Sequence, residues 1–481
     1  MKYFCLLHKR FFYSLFTVCI LCSCSSANKA DKDDTLEATE IPAIVKKDST
    51  LSRSVILPKI NCKADSSVSY ALYIPGAYSP EKAFPVIFFF DSHASGALPL
   101  EKYKELAEKY GYILAGSNNS KNGMQWEQNR PQIQAFMNDV KERLNADSKR
   151  IYTWGFSGGS RVASSVAIFD GGINCVVGMG AGLPSVHDPI KNHFDYLGFA
   201  GNEDFNMGEM VALNTSMENA PLRHQVIIFN GKHEWAPAPV AEDAFIWLEM
   251  NAMKGELIPK NDSLLKYFTL KSEKEEAGFI RNKQCYDEQI LLKKMINYLD
   301  GLSDTAPLKA KLESLSASEE LKKVLDKKEK LAKEEMALQQ SYRNNFTLKT
   351  VAWWTSDIKN LTAKTKSSDK ETAVMNKRVL AYLSLAAYMN VSSALEAGQL
   401  GFAEIFLKIY EMVDPENSEH AYLFADVYAR GGNNSKALLC LQKSVKLGFN
   451  DVLRMEGDTS LAVLKNTPEY RNLLNEMRSK H

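Results

Sequence analysis

Between residues 53 and 258 short apolar runs alternate with longer amphipathic stretches, and this alternation constrains the chain more than any other feature. It is the pattern of a mostly parallel sheet covered by helices, in which each helix packs back on the strand before it. The strand candidates are 69–74, 85–90, 112–117, 150–154, 175–179, 195–200 and 225–229. Helix candidates are 100–110, 132–144, 158–169 and 239–253. The unbroken run from Pro85 to Phe90 marks a strand buried on both faces, because a half-exposed strand would alternate polar and apolar residues.

Past residue 262 the strand signals vanish and charge rises. Leu321, Val324, Leu331 and Leu338 recur among Lys and Glu at the spacing of an amphipathic helix over 321–342, with its charged face in water. The stretch 343–375 reads as a junction, with Trp353 and Trp354 packed at a helix interface. Further on, Ala394, Ala403 and Leu407 recur 34 residues later as Tyr428, Ala437 and Leu441, and Asp414-Pro415 closes the first unit. This spacing resembles the tetratricopeptide repeat, and the tail, with its Gly448-Phe449 turn and Asp458, Leu461 and Leu464, resembles the last unit of such arrays. That resemblance implies a surface for a protein partner; a packing appendage or a dimer contact is the alternative. The chain of 481 residues thus divides into an α/β domain over 53–258, a charged helical region over 259–375 and all-α tetratricopeptide-like repeats over 376–481.

The N-terminus has its own logic. Lys2, Lys9 and Arg10 precede an apolar run from Phe11 to Leu21, too short for the roughly 20 residues a membrane-spanning helix needs. An uncleaved anchor helix therefore fits poorly. Leu21-Cys22-Ser23-Cys24 resembles a bacterial lipobox, and the segment after it resembles the tethers of Bacteroides-type surface lipoproteins. The resemblance implies a signal peptide over 1–23, lipid on Cys24 as a membrane anchor, a polar tether over 24–52 and a place on the outer membrane of the cell envelope. Four of the eight cysteines fall in this segment; Cys62, Cys175, Cys285 and Cys440 are scattered without metal-ligand spacing, so no metal is expected. Cys175 and Cys440 read as small buried apolar side chains. With 59 Lys and Arg against 58 Asp and Glu, the net charge of +1 argues against a nucleic-acid partner held by phosphate contacts.

Gly155-Phe156-Ser157-Gly158-Gly159 follows the strand 150–154 and opens the helix 158–169. In a sharp strand-to-helix turn the two flanking glycines leave room for a strained backbone, the Ser157 hydroxyl is exposed, and the Gly158 N–H faces a developing oxyanion. A glycine-rich structural turn is the alternative. A serine hydroxyl is a weak nucleophile, so a base and an orienting acid must follow, and in α/β-hydrolases they come in the order acid, then histidine, after later strands. Here 195–200 runs into Gly201-Asn202-Glu203-Asp204 and 225–229 into Asn230-Gly231-Lys232-His233. Asp204 is the candidate acid, with Glu203 as the alternative, and His233 the candidate base; both fall at strand carboxyl ends, where ligand sites of open sheets collect. His187, His193, His224, His420 and His481 read as structural or solvated.

Taken in order, PVIFFFDSHASG, YKELAEKYGYILAGSNNSKNGMQW, SKRIYTWGFSGGSRVAS, GNEDFN and NGKHEW resemble the feruloyl-esterase and polyhydroxybutyrate-depolymerase-like group of α/β-hydrolases, over somewhat under half the chain. The resemblance implies Ser157, Asp204 and His233 as nucleophile, acid and base. It also implies oxyanion donors on the backbone of Gly158 and of the loop at His93, although Asp91-Ser92 stands where that group carries His-Gly. Trp126 and Trp235 near the expected mouth either stack on a sugar or aromatic acyl group or pack a lid. The expected activity is hydrolysis of a small-molecule or glycan-linked carboxylic ester through an acyl-enzyme, without metal or organic cofactor. A serine peptidase of the same fold and an inert surface protein working through its helical repeats are the alternatives.

Overall fold

The computed structural model describes residues 50–186 and 190–479; the expected signal peptide, Cys24, nearly all of the tether, His187 and His481 lie outside the described residues. One sheet contains β1 (Ile56–Asn61), β2 (Ser69–Tyr73), β3 (Phe84–Phe90), β4 (Ile113–Ser117), β5 (Ala146–Phe156), β6 (Cys175–Met179), β7 (Asp195–Gly201) and β8 (His224–Phe229). The strands lie in the order β1-β2-β4-β3-β5-β6-β7-β8. β2 is antiparallel to both of its neighbours, and every pair from β4 onward is parallel. The connections carry α1 (Ala97–Tyr110), α2 (Trp126–Arg143), α3 (Gly158–Ser165), α4 (Met207–Ser216) and α5 (Ala238–Lys254). This is the α/β-hydrolase arrangement.

Every residue of β3 is buried, as the unbroken apolar run requires. On one face Trp154 stacks on Phe89 and Tyr103, with ring centroids 5.3 and 5.2 Å apart, and packs under α1 and α5. On the other, Phe136 of α2 meets Phe88 edge-on and Ala163 of α3 closes the layer. From β3 the chain turns outward to β4, and from β5 it turns the opposite way to β6. The carboxyl ends of β3 and β5 therefore mark the switch point of the sheet, the place where open α/β sheets bind ligands.

Two elements escaped the sequence reading, and one reading is corrected. β1 is a half-exposed edge strand that carries Pro58 and Lys59, residues suited to an edge and poor in strand signal. α4 buries only Met210 and so lacks a periodic stripe. The stretch 343–375 is mostly helix rather than junction: Val351–Lys364 is helical, starts at Thr350, whose side chain accepts the Trp353 N–H, and buries Trp354, Ile358 and Leu361.

After α5 the described chain is all helical: α6 (Asp262–Arg281), α7 (Cys285–Leu299), α8 (Ala306–Ser316), α9 (Glu319–Asn345), α10 (Val351–Lys364), α11 (Lys370–Glu396), α12 (Leu400–Val413), α13 (Ser418–Arg430), α14 (Asn434–Lys446), α15 (Val452–Gly457) and α16 (Pro468–Ser479). α6 and α7 join the core under α5 through Leu265, Phe268 and Leu291, while α9 to α16 share a second core. The 34-residue spacing maps onto two helical hairpins, α11–α12 and α13–α14, and Ala403, Leu407, Ala437 and Leu441 are fully buried at their contacts. Each hairpin turns at a glycine with positive φ, Gly398 at 68° and Gly432 at 76°. Phe449 stacks on Tyr422 at 4.4 Å, and Asp458 accepts the Tyr422 hydroxyl at 2.8 Å, which ties the last helices to α13.

Candidate active site

β5 ends at Phe156, and Ser157 is the turn between it and α3, with φ 55° and ψ −122°. A non-glycine residue there is strained, and the strain lifts the side chain clear of both elements. The turn closes only because its flanks are glycines: a Cβ on Gly155 would overlap the Gly159 carbonyl, and one on Gly159 would overlap the Phe90 carbonyl of β3. α3 runs on as a π-turn over Val166–Asp170, which covers the rest of the helix expected to Phe169.

The other two residues arrive from the ends of β7 and β8. His233 Nε2 is 2.9 Å from Ser157 Oγ, and His233 Nδ1 lies 2.9 and 3.0 Å from the two oxygens of Asp204. The Asp204 carboxylate can only accept, so Nδ1 carries the proton and Nε2 is left to accept the Ser157 hydroxyl. Asp204 is buried and also accepts the Asn206 N–H at 2.8 Å; its position just before the first turn of α4 adds the favourable end of that helix dipole. The imidazole sits between Phe156 and Phe205, with ring centroids 4.7 and 4.3 Å away. Glu203, the alternative acid, faces away and pairs with Lys377 of α11 at 2.6 Å.

Gly180, which the sequence reading did not single out, makes room for this ring. Its φ is 65°, and a Cβ there would stand 2.9 Å from His233 Cε1. Its carbonyl accepts from the Asn206 side chain at 2.7 Å, so the β6 turn and the acid loop are joined. Gly180→Ala is expected to cost about 1–3 kcal/mol of stability through the positive φ. It should also lower kcat about 10- to 100-fold by displacing the imidazole; thermal unfolding and ester turnover per folded molecule check both.

At the carboxyl end of β3 the structure departs from expectation. His93 follows the strand, but its N–H donates to Asp91 Oδ1 at 2.8 Å, so this N–H is not open to an oxyanion while the Asp91 carboxylate holds it. The other Asp91 oxygen accepts the Trp235 indole N–H at 3.0 Å. The Gly158 N–H, at the first position of α3, has no intrahelical partner. Trp235 is also corrected as a stacking platform: it is 6% exposed and packs on Phe89, Tyr103 and Phe156. Trp126 is half-buried against Phe169 and lines a cleft of about 200 Å³ with Lys121, Asn122, Asn129, Gly158 and Arg161, beside Ser157.

The described cysteines and the remaining histidines stay out of this chemistry. Burial pushes the Cys62 thiol up to about 11 and the Cys175 thiol well up, which makes both inert. Cys440 is half-buried rather than fully enclosed. Burial pushes the pKa of His224 and His420 down, and they bond Asn214 and the Pro415 carbonyl, while His193 is exposed. Among the described residues no group of His, Cys, Asp and Glu is arranged to hold a metal, and no helix is long and apolar enough to cross a membrane.

No protein-family model matches the chain, and no curated protein matches it. Among solved structures it is similar to the fluorophosphonate-binding serine hydrolase F of Staphylococcus aureus, at 12% identity and TM-score 0.35, over 40% of this chain and 97% of that one. An S-formylglutathione hydrolase of Staphylococcus aureus matches at 13% identity and TM-score 0.34 over 40% and 97%. The feruloyl esterase module of Clostridium thermocellum, complexed with sinapinate, matches at 10% identity and TM-score 0.34 over 42% and 89%.

Proposed function

We propose that the chain is a serine hydrolase of carboxylic esters. The observation that carries this reading is the unbroken hydrogen-bonded line from Asp204 through His233 to Ser157, built on a strained strand-to-helix turn at the switch point of the sheet. His233 Nε2 takes the hydroxyl proton as Ser157 Oγ attacks the ester carbonyl; the tetrahedral anion is stabilised by the Gly158 N–H at the head of α3. The intermediate collapses to an acyl-serine as the imidazolium returns its proton to the departing alcohol. Water, deprotonated by the same imidazole, then attacks the acyl carbon; His233 reprotonates Ser157 as the acid leaves. Asp204 stays ionised and holds the imidazole in its Nδ1–H tautomer throughout.

The cleft beside Gly158, with Trp126 on its wall, suits a small or glycan-linked ester with a planar or sugar group. In this reading lipid on Cys24 anchors the protein to the outer membrane of the cell envelope, and the helical repeats offer a surface to a protein partner. A purified sample is expected to turn over p-nitrophenyl esters and to leave the matching p-nitroanilide peptides intact. Turnover of the anilides alone would replace the esterase reading by the peptidase one. One observation favours an inert reading: the Asp91 carboxylate occupies the His93 N–H that would otherwise be the second oxyanion donor. No turnover of either substrate set would support it.

A further inference from the structure

The loop that carries Asp204 is held from two sides. On one side it lies on the histidine loop: the Asn202 N–H donates to the Phe229 carbonyl at 2.8 Å, and the Glu203 N–H to the Gly231 carbonyl at 2.9 Å. A Cβ on Gly201 would overlap the carbonyls of Gly231 and Lys232, so the two loops touch backbone to backbone. On the other side the helical region reaches in. Arg378 of α11 donates through Nη1 to the Asn202 carbonyl at 2.8 Å, two residues before Asp204. Its remaining nitrogens bind Glu335 of α9, Nε to Oε1 at 2.9 Å and Nη2 to Oε2 at 2.6 Å. Arg378 and Glu335 are each only 7% exposed, and Lys377 grips Glu203 beside them.

A buried ion pair adds little stability over an apolar pair of the same volume, so stability alone is a weak reason for placing one here. What the guanidinium provides is direction. Glu335 fixes the plane of the fork, and the fork fixes where the third N–H points. That N–H ends on the backbone of the acid loop, which in turn lies against the loop of His233.

We propose that Arg378 is a positioning residue for the catalytic acid: the strut Glu335–Arg378–Asn202 lets the helical region set the place of Asp204, and through it the orientation of His233. The helical region is then part of the hydrolytic site rather than an appendage to it. This rests on the Ser157–His233–Asp204 reading above.

The test uses the full chain with Arg378→Met and Glu335→Leu combined, which removes both charges at once and leaves neither buried alone. The expected result is a folded protein with kcat about 10-fold lower and KM unchanged, since small misplacements of a catalytic group are costly in rate. In protein labelled with 15N-histidine, the low-field Nδ1–H signal of His233, assigned by its loss in His233→Gln, should move upfield and exchange faster. A merely structural tie would lower the melting temperature without moving that signal or kcat per folded molecule. Arg378→Lys keeps Glu335 paired but loses the fork, and should show a smaller shift in the same direction; it carries the test if the double variant does not fold. Parental kcat and a parental His233 signal in whichever variant folds would overturn the proposal. If the parent itself does not react with a fluorophosphonate, the catalytic reading fails, and the His233 signal still decides the strut.

Discussion

Ser157→Ala is expected to lower ester turnover by at least about 10⁴-fold while leaving the melting temperature within a few degrees of the parent. The hydroxyl supplies the bond-forming atom, so nothing else in the turn replaces it. The fold is indifferent to the loss because the turn is shaped by Gly155 and Gly159 packing on Gly159 and Phe90, not by the serine side chain. The residual rate would come from the Gly158 N–H and from binding in the cleft. Initial rates on p-nitrophenyl acetate, with circular dichroism melts on the same samples, check both halves. An alanine variant that keeps more than about a tenth of parental kcat would mean that Ser157 is not the nucleophile.

Asp204→Asn should be nearly as damaging, about 10⁴-fold in kcat, for a different reason. An amide nitrogen facing His233 cannot accept the Nδ1 proton, so the ring takes the other tautomer and presents a proton, rather than a lone pair, to Ser157. Binding should hardly change, because Asp204 is buried 2.9 Å behind the imidazole and away from the cleft. The matched control is Glu203→Gln: this side chain pairs with Lys377 at the surface of α11, so the change should cost at most a few-fold. Steady-state kcat and KM for the pair separate the two acids. The reverse ranking, with Glu203→Gln the more harmful, would move the acid to Glu203.

Much of the fold was legible because its strands are short, apolar and evenly punctuated. Cys175–Met179 forms a strand with the bounds its sequence marks, and β3 is as buried as its unbroken run implies. The region read as a junction failed for a physical reason: polar residues at 362–372 masked the apolar stripe Trp354, Ile358, Leu361, which turns inward only when α11 and α12 cover it. That Ser157, Asp204 and His233 meet was legible because each lies within a few residues of a strand end, and the topology brings those ends together. What local sequence could not reveal depends on distant partners. Trp235 faces the core because Asp91, 144 residues earlier, takes its indole N–H. Gly180 matters because of a ring that comes from another strand. Arg378 meets Asn202 across 176 residues, and no spacing rule connects a helix in the repeat region with the acid loop.

These three cases share a pattern. Ser157, Asp204 and His233 were marked by local geometry, while the residues packed around them were set by contacts between separate parts of the chain. Mutational scans that sample only the strand-end loops would therefore miss the supports in α9 and α11.

The most direct test of the central claim is intact and peptide mass spectrometry after reaction with a fluorophosphonate probe. One adduct per chain, located on Ser157, absent in Ser157→Ala and much slower to form in His233→Ala, is the result expected of a serine activated by the imidazole 2.9 Å away. No adduct, or one that forms equally well without Ser157 or His233, would contradict it.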